Sequence, residues 1–295
     1  MTALAVRAHA KINLDLRVLG RRADGFHELR TIFQSLALHD GLAFRRRRGP
    51  FAIESADPHL PLDERNLVWR AAQTLWSAAG RSGAVRGVGA RIDKRIPSQA
   101  GLGGGSSDAA ATLVALDTLW RTRLGPAALA RLAASLGADV AYFLMGGTAL
   151  GLGRGEQLYP LPDLPSMGVV LVHPGFGVGT PDAYRWYAEG GPWHSRAHAQ
   201  GLAVPWLPGP LEIGNDLEAP VMARHSEIAD IRRALLRRGA EVALMSGSGS
   251  AVFGLFGTVA DARRTAGRLR AAGWRVLVTR TLGRAAYRRS LRARA

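Results

Sequence analysis

The sequence predicts an α+β protein built from two domains. Three observations carry this prediction: strand-like alternation near the amino terminus, a glycine-rich loop that leads into a helical pattern, and a βαββαβ order of elements in the second half. With 295 residues, of which 47% are hydrophobic, the chain is long enough to bury the cores of two medium-sized domains.

In the first half, apolar and polar residues alternate over residues 12–18 and 29–38, with turn residues at 20–25 between them. This pattern predicts an early pair of strands. Helical spacing follows over residues 66–79, 109–120 and 126–136, and residues 88–96 form a strand-like stretch that leads to the glycine loop.

A cluster of prolines at positions 160, 162 and 165 indicates the domain boundary, so we expect domains of residues 1–160 and 161–295. The elements predicted after the boundary are a strand at 169–172, a helix at 217–238, strands at 242–245 and 251–256, a helix at 259–272 and a strand at 275–281. This is the order of a split βαβ sandwich.

Residues 190–210 are rich in Gly, Pro and Trp, which favours a loop or an insertion. His194 and His198 within it are spaced i, i+4, but no acidic third partner accompanies them. We therefore do not expect a metal site there.

The net charge of +16 indicates anionic partners, but its sign alone does not choose between nucleotides, nucleic acid and a membrane surface. The densest basic stretches, residues 45–48 and 284–294, contain a single aromatic residue, Tyr287, and this scarcity of stacking residues favours solvated faces. The absence of cysteine excludes disulfides and thiolate catalysis. No apolar run is long enough for a membrane span or a signal peptide, so we expect a cytoplasmic protein without a membrane partner.

The most informative segment is the glycine loop, which consists of Pro97, Ser98, Gln99, Ala100, Gly101, Leu102, Gly103, Gly104, Gly105, Ser106 and Ser107. Glycines permit positive φ and let several N–H groups face one anion. We expect Ser106, Ser107 and Asp108 at the N-cap and first turn of the next helix, whose dipole adds attraction for phosphate.

Two common phosphate motifs do not fit this loop. A P-loop carries Gly-Lys-Ser/Thr at its end, and this loop contains no lysine; the dinucleotide fingerprint has a third glycine where this chain has Ser106. A flexible linker is the alternative, but the helical spacing that follows the loop disfavours it.

Lysine usage singles out two further positions. Of 39 Lys and Arg residues only Lys11 and Lys94 are lysine. This choice indicates that a compact ammonium is needed at these positions, with chance as the alternative.

Five motifs occur in a fixed order: Ala10-Lys-Ile-Asn-Leu14, Asp24-Gly-Phe-His27, the glycine loop, Leu136-Gly-Ala-Asp139 and Ser246-Gly-Ser-Gly-Ser250. Together they resemble the GHMP family of small-molecule kinases, over most of the chain. The resemblance implies a two-domain GHMP kinase fold with a ribosomal-protein-S5-like amino-terminal domain and a ferredoxin-like βαββαβ carboxy-terminal domain. It also implies that the protein uses ATP as the phosphoryl donor and Mg²⁺ as a cofactor.

Within the family, the amino-terminal motifs resemble those of the members that phosphorylate the 2-hydroxyl of a cytidine diphosphate methylerythritol, on the non-mevalonate route to isoprenoid precursors. By this resemblance Asp139 is the general base and Lys11 its electrostatic partner. From the sequence alone, an N-cap role for Asp139 at a helix over residues 140–144 is favoured, and only the motif context favours the general base instead.

The resemblance also implies the substrate residues Asn13, Phe26, His27, Thr180 and Tyr184. Phe26 and Tyr184 would stack on the cytosine and His27 would contact its polar edge. The family often has tyrosine at the position of Phe26, so a hydroxyl contact is missing here.

On the nucleotide side, the resemblance implies Asn66, Leu67 and Lys94 near the adenosine and the glycine loop around the phosphates. Asp108 stands where the family commonly has asparagine, and its role stays open. The Ser246 to Ser250 turn is expected to close the cleft against the glycine loop, or to be a plain hairpin. The metal ligands cannot be predicted.

Two alternatives remain at this point. One is a GHMP kinase that acts on mevalonate or homoserine, and the other is a basic RNA-binding protein whose affinity would depend steeply on salt. We expect small-molecule partners and no nucleic acid, and either a monomer or a homodimer.

Overall fold

The computed structural model describes residues 3–190, 199–270 and 273–292. His194 and His198 lie outside the described residues. Throughout these three ranges, no helix combines the length and the apolar character that a membrane crossing requires.

The first sheet confirms the early strand pair and extends it. Its strands are β1 (Leu4–Arg21), β2 (His27–Pro50), β3 (Ala52–Ser55), β4 (Arg86–Asp93), β5 (Thr148–Gly153) and β6 (Gln157–Pro160). β1 runs antiparallel to β2, and β4 and β5 share the other edge of β2. The basic residues 45–48 are the exposed end of β2.

The helices of the first half are α1 (Leu67–Ala78), α2 (Gly104–Trp120), α3 (Pro126–Leu136) and α4 (Ala138–Met145). Two predicted boundaries were wrong. α2 begins inside the glycine loop, where Gly103 is the N-cap with φ 70°, so Ser106 and Ser107 are not the cap. β4 ends at Asp93, so Lys94 follows the strand and does not belong to it.

The second half contains the predicted βαββαβ sheet. Its strands and helices are β7 (Gly168–His173), α5 (Thr180–Glu189), β8 (Gln200–Leu202), β9 (Leu211–Ile213), α6 (Glu218–Arg224), α7 (Ser226–Leu236), β10 (Val242–Met245), β11 (Val252–Phe256), α8 (Val259–Arg270), β12 (Arg275–Arg280) and α9 (Arg284–Leu291). The sheet is antiparallel with the order β10-β11-β7-β12. The predicted helix over 217–238 is instead two helices, because the backbone leaves helical geometry at His225.

Buried apolar side chains join the two sheets. Ile12 and Leu14 of β1 belong to one cluster with Leu102 of the glycine loop and with Leu171 and Phe253 of the second sheet. Each such side chain contributes about 1.5–3 kcal/mol when fully buried. This cluster fixes β1, the glycine loop and the second sheet relative to one another, and the site forms where they meet.

Candidate active site

A cavity of about 1440 Å³ gathers nearly all the predicted site residues. The predicted residues that line it are Lys11, Asn13, Phe26, His27, Asn66, Leu67, Lys94, Pro97, Ser98, Gln99, Ala100, Gly101, Leu102, Gly103, Gly104, Gly105, Ser106, Asp139, Thr180 and Tyr184. Ser107 is buried beside the cavity and does not line it.

Lys11 and Asp139 meet in this cavity. Strand alternation puts Lys11 and Asn13 on one side of β1. The Lys11 ammonium lies 3.3 Å from Asp139 Oδ2 and donates to Asn13 Oδ1 at 2.6 Å. Asp139 belongs to the first turn of α4, whose N-cap is Gly137, so the alternative that Asp139 is the N-cap was wrong. Because the Asp139 side chain is 33% exposed, its carboxylate is accessible from the cavity.

The glycine loop is held by close backbone packing. Gly101 and Gly103 have φ near +70°, which strains any residue with a Cβ. A Cβ on Gly101 would lie 1.9 Å from the Ser246 carbonyl oxygen, and one on Gly103 would lie 2.7 Å from the Phe143 ring. The loop is also bonded to β1, because the Leu102 carbonyl accepts a hydrogen bond from the Lys11 backbone N–H at 3.0 Å.

The Ser246 to Ser250 turn packs on the glycine loop, as predicted. Ser246 Oγ donates to the Gly101 carbonyl at 2.9 Å, and the Ala251 backbone N–H donates to the Ala100 carbonyl at 3.2 Å. Two segments that are distant in sequence therefore form one wall of the cavity.

Lys94 lies between two buried carboxylates. Its ammonium is 2.5 Å from Asp40 Oδ2 and 2.8 Å from Asp108 Oδ2. Burial opposes its charge, but the two carboxylates outweigh burial and raise the pKa of Lys94. Burial raises the pKa of Asp108 to about 7; the charge of Lys94 opposes this shift and that of Asp40 adds to it.

Candidate metal ligands are few. Across the described ranges, no group of three or more His, Asp and Glu side chains has a metal-binding arrangement. Ser107 Oγ and Asp108 Oδ1 at the start of α2 are buried and have no hydrogen-bond partner in the part of the chain that the structure describes. Hard oxygen atoms of this kind fit Mg²⁺ that is held mainly by phosphates and water.

Aromatic side chains form another part of the cavity wall. The His27 and Tyr184 rings stack with centroids 4.8 Å apart, and the Arg154 guanidinium lies 5.1 Å from the centre of the Phe26 ring. Phe26 is 55% exposed. Burial first, and then the charge of Arg21, lower the pKa of His27, which favours its neutral form. Thr180 Oγ1 lies 3.1 Å from Ser248 Oγ and joins α5 to the Ser246 to Ser250 turn.

Sequence reasoning missed Asp40, Arg154 and Asn215. Asp40 falls just after the alternating stretch of the second strand, and Arg154 is one of many arginines, so neither carried a distinguishing local signal. Asn215 precedes a predicted helix and would pass as an ordinary cap residue. Only tertiary contacts distinguish these positions.

Comparisons with known proteins identify the family. Residues 66–147 match the GHMP kinases N terminal domain and residues 206–273 match the GHMP kinases C terminal domain. A protein of Pelotomaculum thermopropionicum named 4-diphosphocytidyl-2-C-methyl-D-erythritol kinase is 46% identical over 291 residues, covering 95% of this chain and 98% of that protein. The chain belongs to the GHMP kinase family.

Further relatives agree with this assignment. A Moorella thermoacetica protein of the same name is 45% identical, covering 96% of this chain and all of that protein. A crystal structure of 4-(cytidine 5'-diphospho)-2C-methyl-D-erythritol kinase superposes with a TM-score of 0.76 at 37% identity, covering 95% of this chain and 99% of that one. The chain is therefore a small-molecule kinase with the two-domain α+β GHMP fold, and ATP is the phosphoryl donor that this family implies.

Proposed function

We propose that this GHMP kinase transfers the γ-phosphoryl group of ATP to the 2-hydroxyl of 4-diphosphocytidyl-2-C-methyl-D-erythritol. The observation that carries the proposal is that the Lys11–Asp139 pair lines the same cavity as the glycine loop and the His27–Tyr184 stack. The names of the relatives with 46% and 45% identity support the same substrate.

Asp139 acts as the general base in this proposal. Its carboxylate accepts the proton of the substrate hydroxyl while that oxygen bonds to the γ-phosphorus. The bond from the γ-phosphorus to the bridging oxygen then breaks, and ADP leaves with that oxygen. Lys11, 3.3 Å from Asp139, provides a positive charge where negative charge develops.

The glycine loop binds the triphosphate. Backbone N–H groups of the loop and of the first turn of α2 offer donors to the phosphate oxygens, and the helix dipole adds to the attraction. Lys94 has its ammonium 2.8 Å from Asp108 on the first turns of α2, so its charge is held close to the same loop.

The aromatic residues bind the cytosine. Tyr184 and Phe26 offer ring faces for stacking, and neutral His27 offers ring nitrogens to the polar edge of the base. Arg154 covers one face of Phe26, which leaves the other face for the base. The arginine also adds positive charge close to the diphosphate of the substrate.

Mg²⁺ completes the proposal. Asp108 lines the cavity, and its Oδ1 is the side-chain oxygen that would hold the ion, together with the nucleotide phosphates. When bound, the ion neutralises charge on the triphosphate.

The experiment is an ADP-release assay with the purified protein, ATP and Mg²⁺. Separate reactions contain the cytidylyl substrate, mevalonate or homoserine, and ³¹P NMR identifies the product. We expect ADP and a new phosphomonoester only with the cytidylyl substrate. Turnover of mevalonate or homoserine without turnover of the cytidylyl substrate would refute the specificity.

A further inference from the structure

The segment from Gly214 to Glu218 connects the catalytic strand to the second sheet. The Leu16 backbone N–H donates to the Gly214 carbonyl at 2.8 Å, and the Asp216 N–H donates to the Leu16 carbonyl at 3.0 Å. These bonds attach the segment to β1 five residues beyond Lys11. Any contact between this segment and the second sheet therefore helps to fix the position of β1 relative to that sheet.

Asn215 makes that contact with its side chain. The Nδ2 group donates both of its hydrogens, one to the Met245 carbonyl and one to the Gly247 carbonyl, each at 2.8 Å. Oδ1 accepts the Leu217 backbone N–H at 3.0 Å. The residue is buried, at 8% exposure, so these hydrogen bonds are protected from exchange with water.

The Gly247 end of this connection lies against the catalytic residues. A Cβ on Gly247 would lie 3.2 Å from Asn13 Oδ1 and 3.4 Å from Lys11 Nζ, so Gly247 faces both groups and leaves little space between itself and them. The neighbouring Ser246 Oγ accepts the Asn13 backbone N–H at 3.3 Å. The turn thus limits where the Lys11 ammonium and its Asn13 partner can lie.

Glu218 supports the same turn from the other side. Its Oε1 accepts the Met245 backbone N–H at 3.4 Å and pairs with Arg232 at 3.6 Å. Met245 is therefore fixed through its N–H by Glu218 and through its carbonyl by Asn215.

We propose that Asn215 is a positioning residue for phosphoryl transfer: by holding the Gly247 carbonyl, it keeps the Ser246 to Ser250 turn against Lys11 and Asn13. Asn215 does not touch the reacting atoms. The catalytic part of this inference rests on the proposed function, whereas the position of Lys11 is measurable without any substrate.

The lysine count provides a direct measurement. Lys11 and Lys94 are the two lysines of the chain, so ¹³Cε-lysine labelling gives two side-chain resonances, which Lys11→Arg and Lys94→Arg assign. Asn215→Asp keeps the shape of the side chain but replaces the donating amide group with a carboxylate oxygen, which the two carbonyls repel. Asn215→Ala removes the amide altogether. We expect both variants to shift the Lys11 resonance and to leave the Lys94 resonance in place.

The kinetic arm uses the same variants. A small displacement of a catalytic group costs much of the rate. We expect kcat to fall about 10-fold or more in both variants, with the KM for ATP within about 2-fold.

Asp216→Asn is the matched control, since Asp216 belongs to the same segment and bonds the Val18 backbone N–H and Arg17 but not the turn. We expect this variant to lose thermal stability with kcat and both lysine resonances unchanged. An unshifted Lys11 resonance in Asn215→Ala, or an equal shift in Asp216→Asn, would overturn the inference. If wild-type protein fails to phosphorylate the cytidylyl substrate, the proposed function fails while the NMR result still decides the role of Asn215.

Discussion

The cavity contains two regions that are built in different ways. The proposed phosphate region, residues 97–106 with Lys94, consists largely of backbone, and Gly101 packs so closely on Ser246 that a Cβ has no space. The proposed base region, Phe26, His27 and Tyr184, consists of side chains, and Phe26 is more than half exposed. The first region depends on glycine conformation and the second on ring chemistry.

This difference predicts different tolerance to substitution. A Cβ at the tightly packed Gly101 would displace backbone and so disturb the fold of the loop as a whole. A change at the exposed Phe26 ring leaves the scaffold in place. We therefore expect Phe26 to tolerate substitution without loss of stability, whereas Gly101 should not.

The largest effect is expected from Gly101→Ala. Its Cβ would lie 1.9 Å from the Ser246 carbonyl oxygen at a φ of +72°, and the free energy of unfolding should fall by about 3 kcal/mol or more. Gly105→Ala is the matched control for stability. Its Cβ would meet only Leu67, at 3.8 Å, so the free energy of unfolding should change by less than about 1 kcal/mol. Urea denaturation of both variants measures the difference; equal stability would contradict the claim that the glycine loop is held by close backbone packing at Gly101.

A smaller effect, confined to the acceptor, is expected from Tyr184→Ala. Loss of one stacking ring costs about 1–3 kcal/mol of base binding, so the KM for the cytidylyl substrate should rise by about 5-fold to 150-fold while the KM for ATP stays constant. Tyr184→Phe keeps the ring and should leave both constants close to wild type. A similar rise in the two KM values would show that the base region is not separate from the phosphate region.

The smallest effect concerns pH. The pKa of His27 is lowered, so the ring stays neutral until the pH falls below its ordinary value of 6.5, and it gains a proton only under more acidic conditions. We expect the KM for the cytidylyl substrate to rise by on the order of a few-fold as the pH falls well below 6.5, with the KM for ATP unchanged. His27→Gln should remove this acidic rise. If the variant retains it, another group is responsible.

The sequence was sufficient to predict the bounds of helices and strands where local residue patterns determine them. The helix over Pro126–Leu136 and the strand over Val242–Met245 were predicted at their exact bounds, because a proline start, a glycine stop and a short apolar run are local signals. The family resemblance that the five motifs carry likewise predicted residues that the structure brings together in the cavity, although it missed Arg154. Their roles, and the division of the chain at residue 160, stay predictions.

The errors in predicted bounds have two causes, an unusual backbone conformation and contacts with distant residues. α2 begins at Gly104 because Gly103 adopts a positive φ, which a cap rule based on serine does not anticipate. The helix break at His225 coincides with ring contacts to Phe176 and Trp186, which lie far away in sequence. Asn215 is the clearest case, since both carbonyls that it holds lie about 30 residues further along the chain.

The central claim is that Asp139 deprotonates an alcohol whose oxygen then attacks ATP. The most direct test measures turnover of the cytidylyl substrate by Asp139→Asn, alongside binding of a non-hydrolysable ATP analogue. We predict that kcat falls by on the order of 10² or more while the analogue binds with nearly wild-type affinity. Turnover within about 2-fold of wild type would contradict the claim and remove Asp139 from the mechanism.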